Sequence, residues 1–105
     1  MPHTARPLAV GLVYRSSGTP GADRSWARSL VVRHAHREGL GLVDIFELDD
    51  NLVRNAAVLD RLSALADDTG AAVLISDSVD LDLAQRLAEE FGLRLETVPR
   101  AVRRP

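Results

Sequence analysis

Two short apolar runs constrain the fold of this chain more than any other sequence feature. Residues 8–14 read LAVGLVY and residues 71–75 read AAVLI, and turn-forming residues lie close to both runs. Strands covered on both faces of a sheet have this continuous apolar pattern, because neither of their faces meets water. We therefore expect both runs to be central strands of a sheet that is packed on both sides.

Two other segments, residues 42–48 and 93–98, carry polar residues between apolar ones. This pattern is typical of strands at the edge of a sheet. Strict alternation in the first of these segments predicts one face made of Val43, Ile45 and Glu47, and an opposite face made of Leu42, Asp44, Phe46 and Leu48. A proline, Pro99, ends the second segment.

Three segments between these strands repeat apolar residues at helical spacing, and a glycine follows each of them. The first covers residues 22–37 and has Trp26 on its apolar side, where we expect a core position. The second is expected to bury a stripe made of Leu52, Val53, Ala56, Leu59, Leu62 and Ala66. Acidic residues precede the last two helices and are candidate caps: Asp49 and Asp50 for the second, Asp80 and Asp82 for the third.

Four strands alternating with three helices predict an α/β fold with a parallel sheet, because right-handed crossovers put helices on both faces. With the apolar strands central, the strand order is 2-1-3-4, a flavodoxin-like three-layer sandwich. Asp44 and Glu47 disfavour an order with the second strand inside, and two halves swapped across a dimer are a further alternative. We expect one domain over residues 8–99, an N-terminal tail over 1–7 and a basic tail over 100–105.

Composition excludes several classes of function. The 105 residues include no cysteine, which removes disulfides, thiolate metal sites and cysteine nucleophiles. All 13 basic residues are arginine, so Schiff-base chemistry and the P-loop lysine are excluded as well. The net charge of -2 lacks the positive field that non-specific nucleic-acid binding needs. No apolar run approaches the ~20 residues that cross a bilayer, so we expect a cytoplasmic protein with no membrane partner.

Hydroxyl-rich loops follow the two apolar strands at the edge where parallel α/β sheets bind ligands. A helix N-terminus after the first loop favours anions. The candidate catalytic residues are Ser17 and Arg15, whose side chains can converge because they are two residues apart on an extended segment. The candidate binding residues are Ser16, Gly18, Thr19, Ser76, Asp77 and Ser78. Turn formation alone also explains the same composition, and it is the favoured interpretation.

The histidines do not predict a metal site. His34 and His36 lie roughly 200° apart on the first helix, so they cannot hold one ion from the same face. His34 and Glu38 have a suitable spacing, but two ligands without a third make no ordinary site. We therefore expect no metal and no cofactor.

Several segments resemble the N-terminal catalytic domain of serine recombinases of the resolvase and invertase family. The first strand of that family ends in a tyrosine, arginine and serine motif, and residues 13–17 read VYRSS here. Residues 43–49, 58–62, 72–75 and 83–98 resemble the following strands and helices of the family. The resemblance implies the 2-1-3-4 fold and a serine nucleophile, with Ser17 two residues after Arg15 as its counterpart.

The same comparison implies a degenerate active site. The family carries an Asp-Arg pair and a further arginine just after the third strand, where residues 76–81 read SDSVDL. A phosphoryl-transfer site without those guanidinium groups loses its main electrostatic stabilisation. The loop after the first strand also resembles the phosphate loop of flavodoxins, but 4% aromatic residues leave few side chains to hold a flavin ring, so we expect no FMN.

We therefore expect a non-catalytic, resolvase-like protein-interaction domain that forms homodimers or binds another protein through an edge strand or a helix face. The competing hypothesis is a phosphate-binding or phosphoryl-transfer enzyme that uses Ser17, Arg15 and Asp77. A third hypothesis is DNA binding through the arginines near the C-terminus, which are Arg94, Arg100, Arg103 and Arg104.

Overall fold

Strands and helices alternate along the chain in the predicted order. A computed structural model describes residues 6–15, 21–77 and 80–98, with side chains from residue 25 onward in the first helix. The elements are β1 (Leu8–Tyr14), α1 (Gly21–Arg37), β2 (Gly41–Leu48), α2 (Leu52–Thr69), β3 (Val73–Asp77), α3 (Leu81–Phe91) and β4 (Arg94–Val98). The four strands are all parallel and lie in the order β2-β1-β3-β4, which confirms the prediction.

The sheet separates two apolar cores, which makes three layers. On one face α1 packs against the central strands through Ala27, Val31 and Ala35, together with Val13 and Ile75 of the sheet. On the other face α2 and α3 share a larger core whose buried members include Leu12, Phe46, Leu62, Leu74 and Leu87. The two strands predicted to be central supply residues to both cores, because both of their faces are covered.

Gly11 allows α1 to lie close to the sheet. A Cβ atom at this position would be 2.8 Å from Cγ1 of Val31 on α1 and 3.1 Å from Cγ1 of Ile45 on β2. Both distances are shorter than ordinary carbon contacts. A side chain at residue 11 would therefore push α1 away from the sheet.

A bulge in β2 changes the faces predicted by strict alternation. Ala9 pairs with Leu42 and Val10 pairs with Asp44, so Val43 is an extra residue in the strand. An extra residue reverses which face the following side chains occupy. Leu42 consequently packs with Ile45 in the core under α1, whereas Val43 packs in the opposite core, and the predicted grouping of these residues is wrong.

The buried stripe of α2 is also displaced from its prediction. Its fully buried residues are Val58, Leu62 and Ala66, whereas Leu52, Val53 and Ala56 are exposed. The helix begins later than expected because Asn51, rather than Asp49 or Asp50, is its N-cap and accepts a hydrogen bond from the backbone of Arg54 at 3.0 Å. In α3 the predicted cap Asp80 accepts a bond from the backbone of Leu83 at 3.0 Å, as expected.

Polar contacts flank α1 on both sides, so a single helix is enough to cover its face of the sheet. On the β2 side Arg28 contacts Glu47 at 3.1 Å. On the β4 side Nε2 of His34 lies 2.6 Å from Glu96, which also pairs with Arg94 at 2.7 Å.

Trp26 is only half-buried, so it is not the core residue that its helical position predicts. The guanidinium of Arg33 lies 5.5 Å from the centre of the indole ring, within the range of a cation–π contact. Val31, buried on α1, occupies the core position instead. Among the described helices, none is both long and apolar enough to cross a membrane.

Candidate functional site

The carboxyl edge is the side of the sheet where the four strands end and where α2 and α3 begin. Tyr14 and Arg15 reach it from β1, Asp77 reaches it from β3, and Asp49 follows β2. The backbone N–H of Arg15 donates to the carbonyl of Leu48 at 2.8 Å, which fixes the end of β1 against β2. This is the edge at which a ligand site is expected in an open parallel sheet.

The structure describes three of the eight predicted site residues. Arg15 lies at the carboxyl edge as predicted. Ser76 and Asp77 are the last residues of β3 rather than loop residues, because the strand covers residues 73–77 instead of 71–75. The other predicted residues, Ser16, Ser17, Gly18, Thr19 and Ser78, lie outside the described part of the chain.

Ser76 and Asp77 are held inside the fold. Only 4% and 2% of these residues are exposed. The Ser76 hydroxyl donates to the backbone carbonyl of Asp77 at 2.8 Å, and the Asp77 side chain accepts a long bond of 3.4 Å from the backbone N–H of Tyr14. Asp77 therefore joins the ends of the two central strands.

Asp49 is the centre of an ion-pair network. Arg54 donates to it at 2.7 Å, and the guanidinium of Arg15 lies 3.7 Å from the same oxygen. The backbone N–H of Asn51 donates to its other oxygen at 2.8 Å. This backbone bond, with the two guanidinium groups, holds the pKa of Asp49 below its ordinary value of 3.8. Arg15 thus faces a carboxylate of its own chain.

Tyr14 adds a second short contact at the carboxyl edge. Its hydroxyl donates to Asp50 at 2.6 Å. That hydrogen bond, followed by burial and by the charges of Asp50, Asp80 and Asp49, raises the pKa of Tyr14 above 10.0. The phenol is therefore a hydrogen-bond donor near neutral pH, and several carboxylates surround it. The carboxylates of Asp49, Asp50 and Asp80 disfavour a phosphate directly beside Tyr14.

The beginnings of α2 and α3 present an apolar surface, which we call the apolar end, made of Leu52, Val53 and Leu81. Leu52 is 81% exposed, Val53 is 84% exposed and Leu81 is 48% exposed. Both helices pack on the same face of the sheet and begin at the carboxyl edge, so the three side chains lie at one end of the molecule. Large apolar residues exposed at one end of a molecule are typical of a surface that contacts another protein.

Sequence reasoning assigned Leu52 and Val53 to the core and so missed the apolar end. A signal was present in the helical period. Nine residues separate Val53 from Leu62, which at 100° per residue places them on opposite sides of α2. Because Leu62 is fully buried, Val53 has to face outward.

The described residues contain no group of three histidine, aspartate or glutamate side chains arranged to hold a metal ion. His34 contacts Glu96 on β4, whereas Glu38 contacts Arg37 at 4.0 Å. His34 therefore joins α1 to the sheet and does not pair with Glu38, the residue whose spacing alone suited a shared ligand.

No protein-family model matches the chain, and a search of curated proteins finds no match to its sequence. The resemblance to serine recombinases stays a prediction from residue patterns. We infer the function from the exposed surfaces of the described residues.

Proposed function

We propose that this is a non-catalytic protein-association domain that forms a homodimer through the apolar end. The observation that carries the proposal is the exposure of Leu52 and Val53 at 81% and 84% on a helix that buries Leu62 completely. Transfer of large apolar side chains from water into an interface is the main favourable contribution to association. A dimer with twofold symmetry covers the same surface on both copies.

Two features of the edge strand β2 favour dimerisation through the apolar end over dimerisation by strand pairing. Its bulge at Val43 disrupts the regular ladder, and the Asp44 carboxylate accepts the backbone N–H of Ile45 at 2.7 Å. Bulges and charged residues are devices that prevent edge strands from pairing with another chain. Of the two routes expected from the sequence, an edge strand or a helix face, the contacts at β2 favour the helices.

The size of the apolar end supports a weak, reversible dimer. Burial of a leucine or valine side chain contributes roughly 1.5–3 kcal/mol. Association costs at least about 4 kcal/mol in lost translational and rotational freedom. Three such residues per copy form a small interface, which favours a reversible dimer over an obligate one.

Phosphate binding or phosphoryl transfer through Ser17, Arg15 and Asp77 is supported less well. Arg15 lies beside Asp49, and Asp77 is buried, with only 2% of the residue exposed. Neither feature stabilises the negative charge that develops during phosphoryl transfer.

Light scattering during size-exclusion chromatography at high micromolar concentration tests the proposal. We expect wild-type protein to contain dimer and the double variant Leu52→Ser/Val53→Ser to be monomeric. Val32→Ser is the matched control, because Val32 is 49% exposed on α1, outside the apolar end. The proposal fails if wild-type protein is monomeric, or if the control variant loses the dimer as completely as the double variant does.

A further inference from the structure

Two neighbouring cavities form a trough along the open edge of β2. One has a volume of about 450 Å³ and lies against α1, and the other has a volume of about 400 Å³ and extends to α2. Arg28 and Ile45 line both cavities, so the two lie next to each other. Together the two cavities extend across the edge of β2, from α1 on one face of the sheet to α2 on the other.

The trough is rich in arginine. Arg28 and Arg33 come from α1, Arg54 and Arg61 come from α2, and Arg15 comes from the end of β1. We call this surface the arginine trough. Three carboxylates line it as well, those of Asp44, Glu47 and Asp49. The surface therefore has a positive excess in a chain whose net charge is -2.

Several of these guanidinium groups retain donors for a partner. Arg28 and Arg54 each use one terminal nitrogen in the contacts described above, and their side chains are 43% and 62% exposed. Arg61 is exposed and forms no ion pair with any other described residue. A guanidinium has five N–H donors in a planar fork that matches a carboxylate.

We propose that the arginine trough binds an acidic segment of another protein, whose carboxylates are held by Arg28, Arg54 and Arg61. The segment is recognised through side chains and not by strand addition, because the bulge and Asp44 block the edge of β2. Val32, which is 49% exposed, lines the same trough and offers a contact to an apolar residue between the acidic ones.

The spacing of the charged residues in the trough favours a protein over a nucleic acid as its partner. A duplex presents one negative charge per about 1.7 Å of its axis, so the carboxylates of Asp44 and Glu47 would repel part of any backbone laid along the trough. Separate carboxylates on a peptide can align with arginines and avoid the acidic positions. The occupant is thus a peptide segment with spaced glutamates or aspartates.

Fluorescence polarisation with a short labelled peptide of alternating glutamate and leucine tests this proposal. We expect binding that weakens with added salt, and no binding of a peptide with glutamine in place of glutamate. Arg61→Gln should weaken binding about three- to fivefold, as expected for one exposed ion pair. Arg86→Gln removes the same charge from α3, outside the trough, and should leave affinity unchanged.

Three results would overturn the proposal. They are equal binding of the glutamine peptide, equal effects of the two arginine variants, and displacement of the peptide by a single-stranded oligothymidine that binds more tightly. The same titration with the Leu52→Ser/Val53→Ser variant separates this surface from the apolar end. Because neither residue lines the trough, peptide binding should persist when the dimer is lost.

Discussion

At the scale of single residues, polar side chains join elements that are distant in sequence. Asp77 joins the ends of β3 and β1, and His34 joins α1 to β4 through Glu96. The sequence places Asp77 after an apolar run and so predicts its position at the carboxyl edge. It does not reveal the partner of His34, because Glu96 is 62 residues away along the chain.

The contact between His34 and Glu96 predicts a loss of stability in acid. The hydrogen bond with His34, supported by Arg94, holds the pKa of Glu96 below its ordinary value of 4.5. A carboxyl group whose pKa is lowered by folding stabilises the fold above its ordinary pKa, and this contribution is lost as pH falls through the folded value. Urea unfolding of Glu96→Gln should therefore show a free energy lower than wild type by about 1 kcal/mol at pH 7.

The difference between Glu96→Gln and wild type should shrink as pH falls below about 4.5. Glu89→Gln, a change at an exposed position on α3, is the control and should follow the wild-type curve. A constant difference between Glu96→Gln and wild type at all pH values would contradict the account.

Gly11 gives a second prediction at this scale. The Cβ of Gly11→Ala would clash with Val31 and Ile45, so the variant should lose about 1–3 kcal/mol of stability through overpacking. Thermal unfolding followed by circular dichroism measures the loss. The double variant Gly11→Ala/Val31→Ala should lose less stability than the sum of the losses of the two single variants. The reason is that removal of the valine methyl groups clears the shortest contact. Additive losses would show that the clash at Val31 is not the cause.

At the scale of elements, apolar patterns that extend over a whole helix or strand predict that element well. A single bulge or a shifted helix cap does not change such a pattern, so it is not predicted. All seven elements occur in the predicted order, and β1 has the predicted bounds. The bulge at Val43 has no clear signal in residues 42–48, because apolar residues lie on both sides of it. α2 begins later than predicted because Asn51, and not Asp49 or Asp50, is its N-cap.

The rotation of α2 can be checked by comparing two leucines of the same helix. Leu62 is completely buried, so Leu62→Ala should cost about 2–5 kcal/mol. Leu52 is 81% exposed in the monomer, so Leu52→Ala should change monomer stability by less than about 0.5 kcal/mol. Urea unfolding at a concentration well below the dissociation constant of the proposed dimer measures both. Equal losses would contradict the buried stripe of Val58, Leu62 and Ala66.

At the scale of the whole molecule, the topology is predictable from burial but the surfaces are not. Two wholly apolar strands must lie inside the sheet, and that requirement, together with the flavodoxin-like arrangement of doubly wound sheets, gives the order β2-β1-β3-β4. The arginine trough depends on side chains of α1, β2 and α2 that meet only after folding. The apolar end likewise depends on which side of α2 faces the sheet. The number of apolar residues in the helix does not determine this.

Native mass spectrometry of the purified chain at high micromolar concentration tests the central claim most directly, since one spectrum reports subunit number and retained small molecules together. Self-association through Leu52, Val53 and Leu81 predicts a dimer whose mass is twice that of the 11.4 kDa chain, with no added mass. A monomer that retains the mass of a phosphate or nucleotide would contradict it and would instead favour a phosphate site beside Arg15.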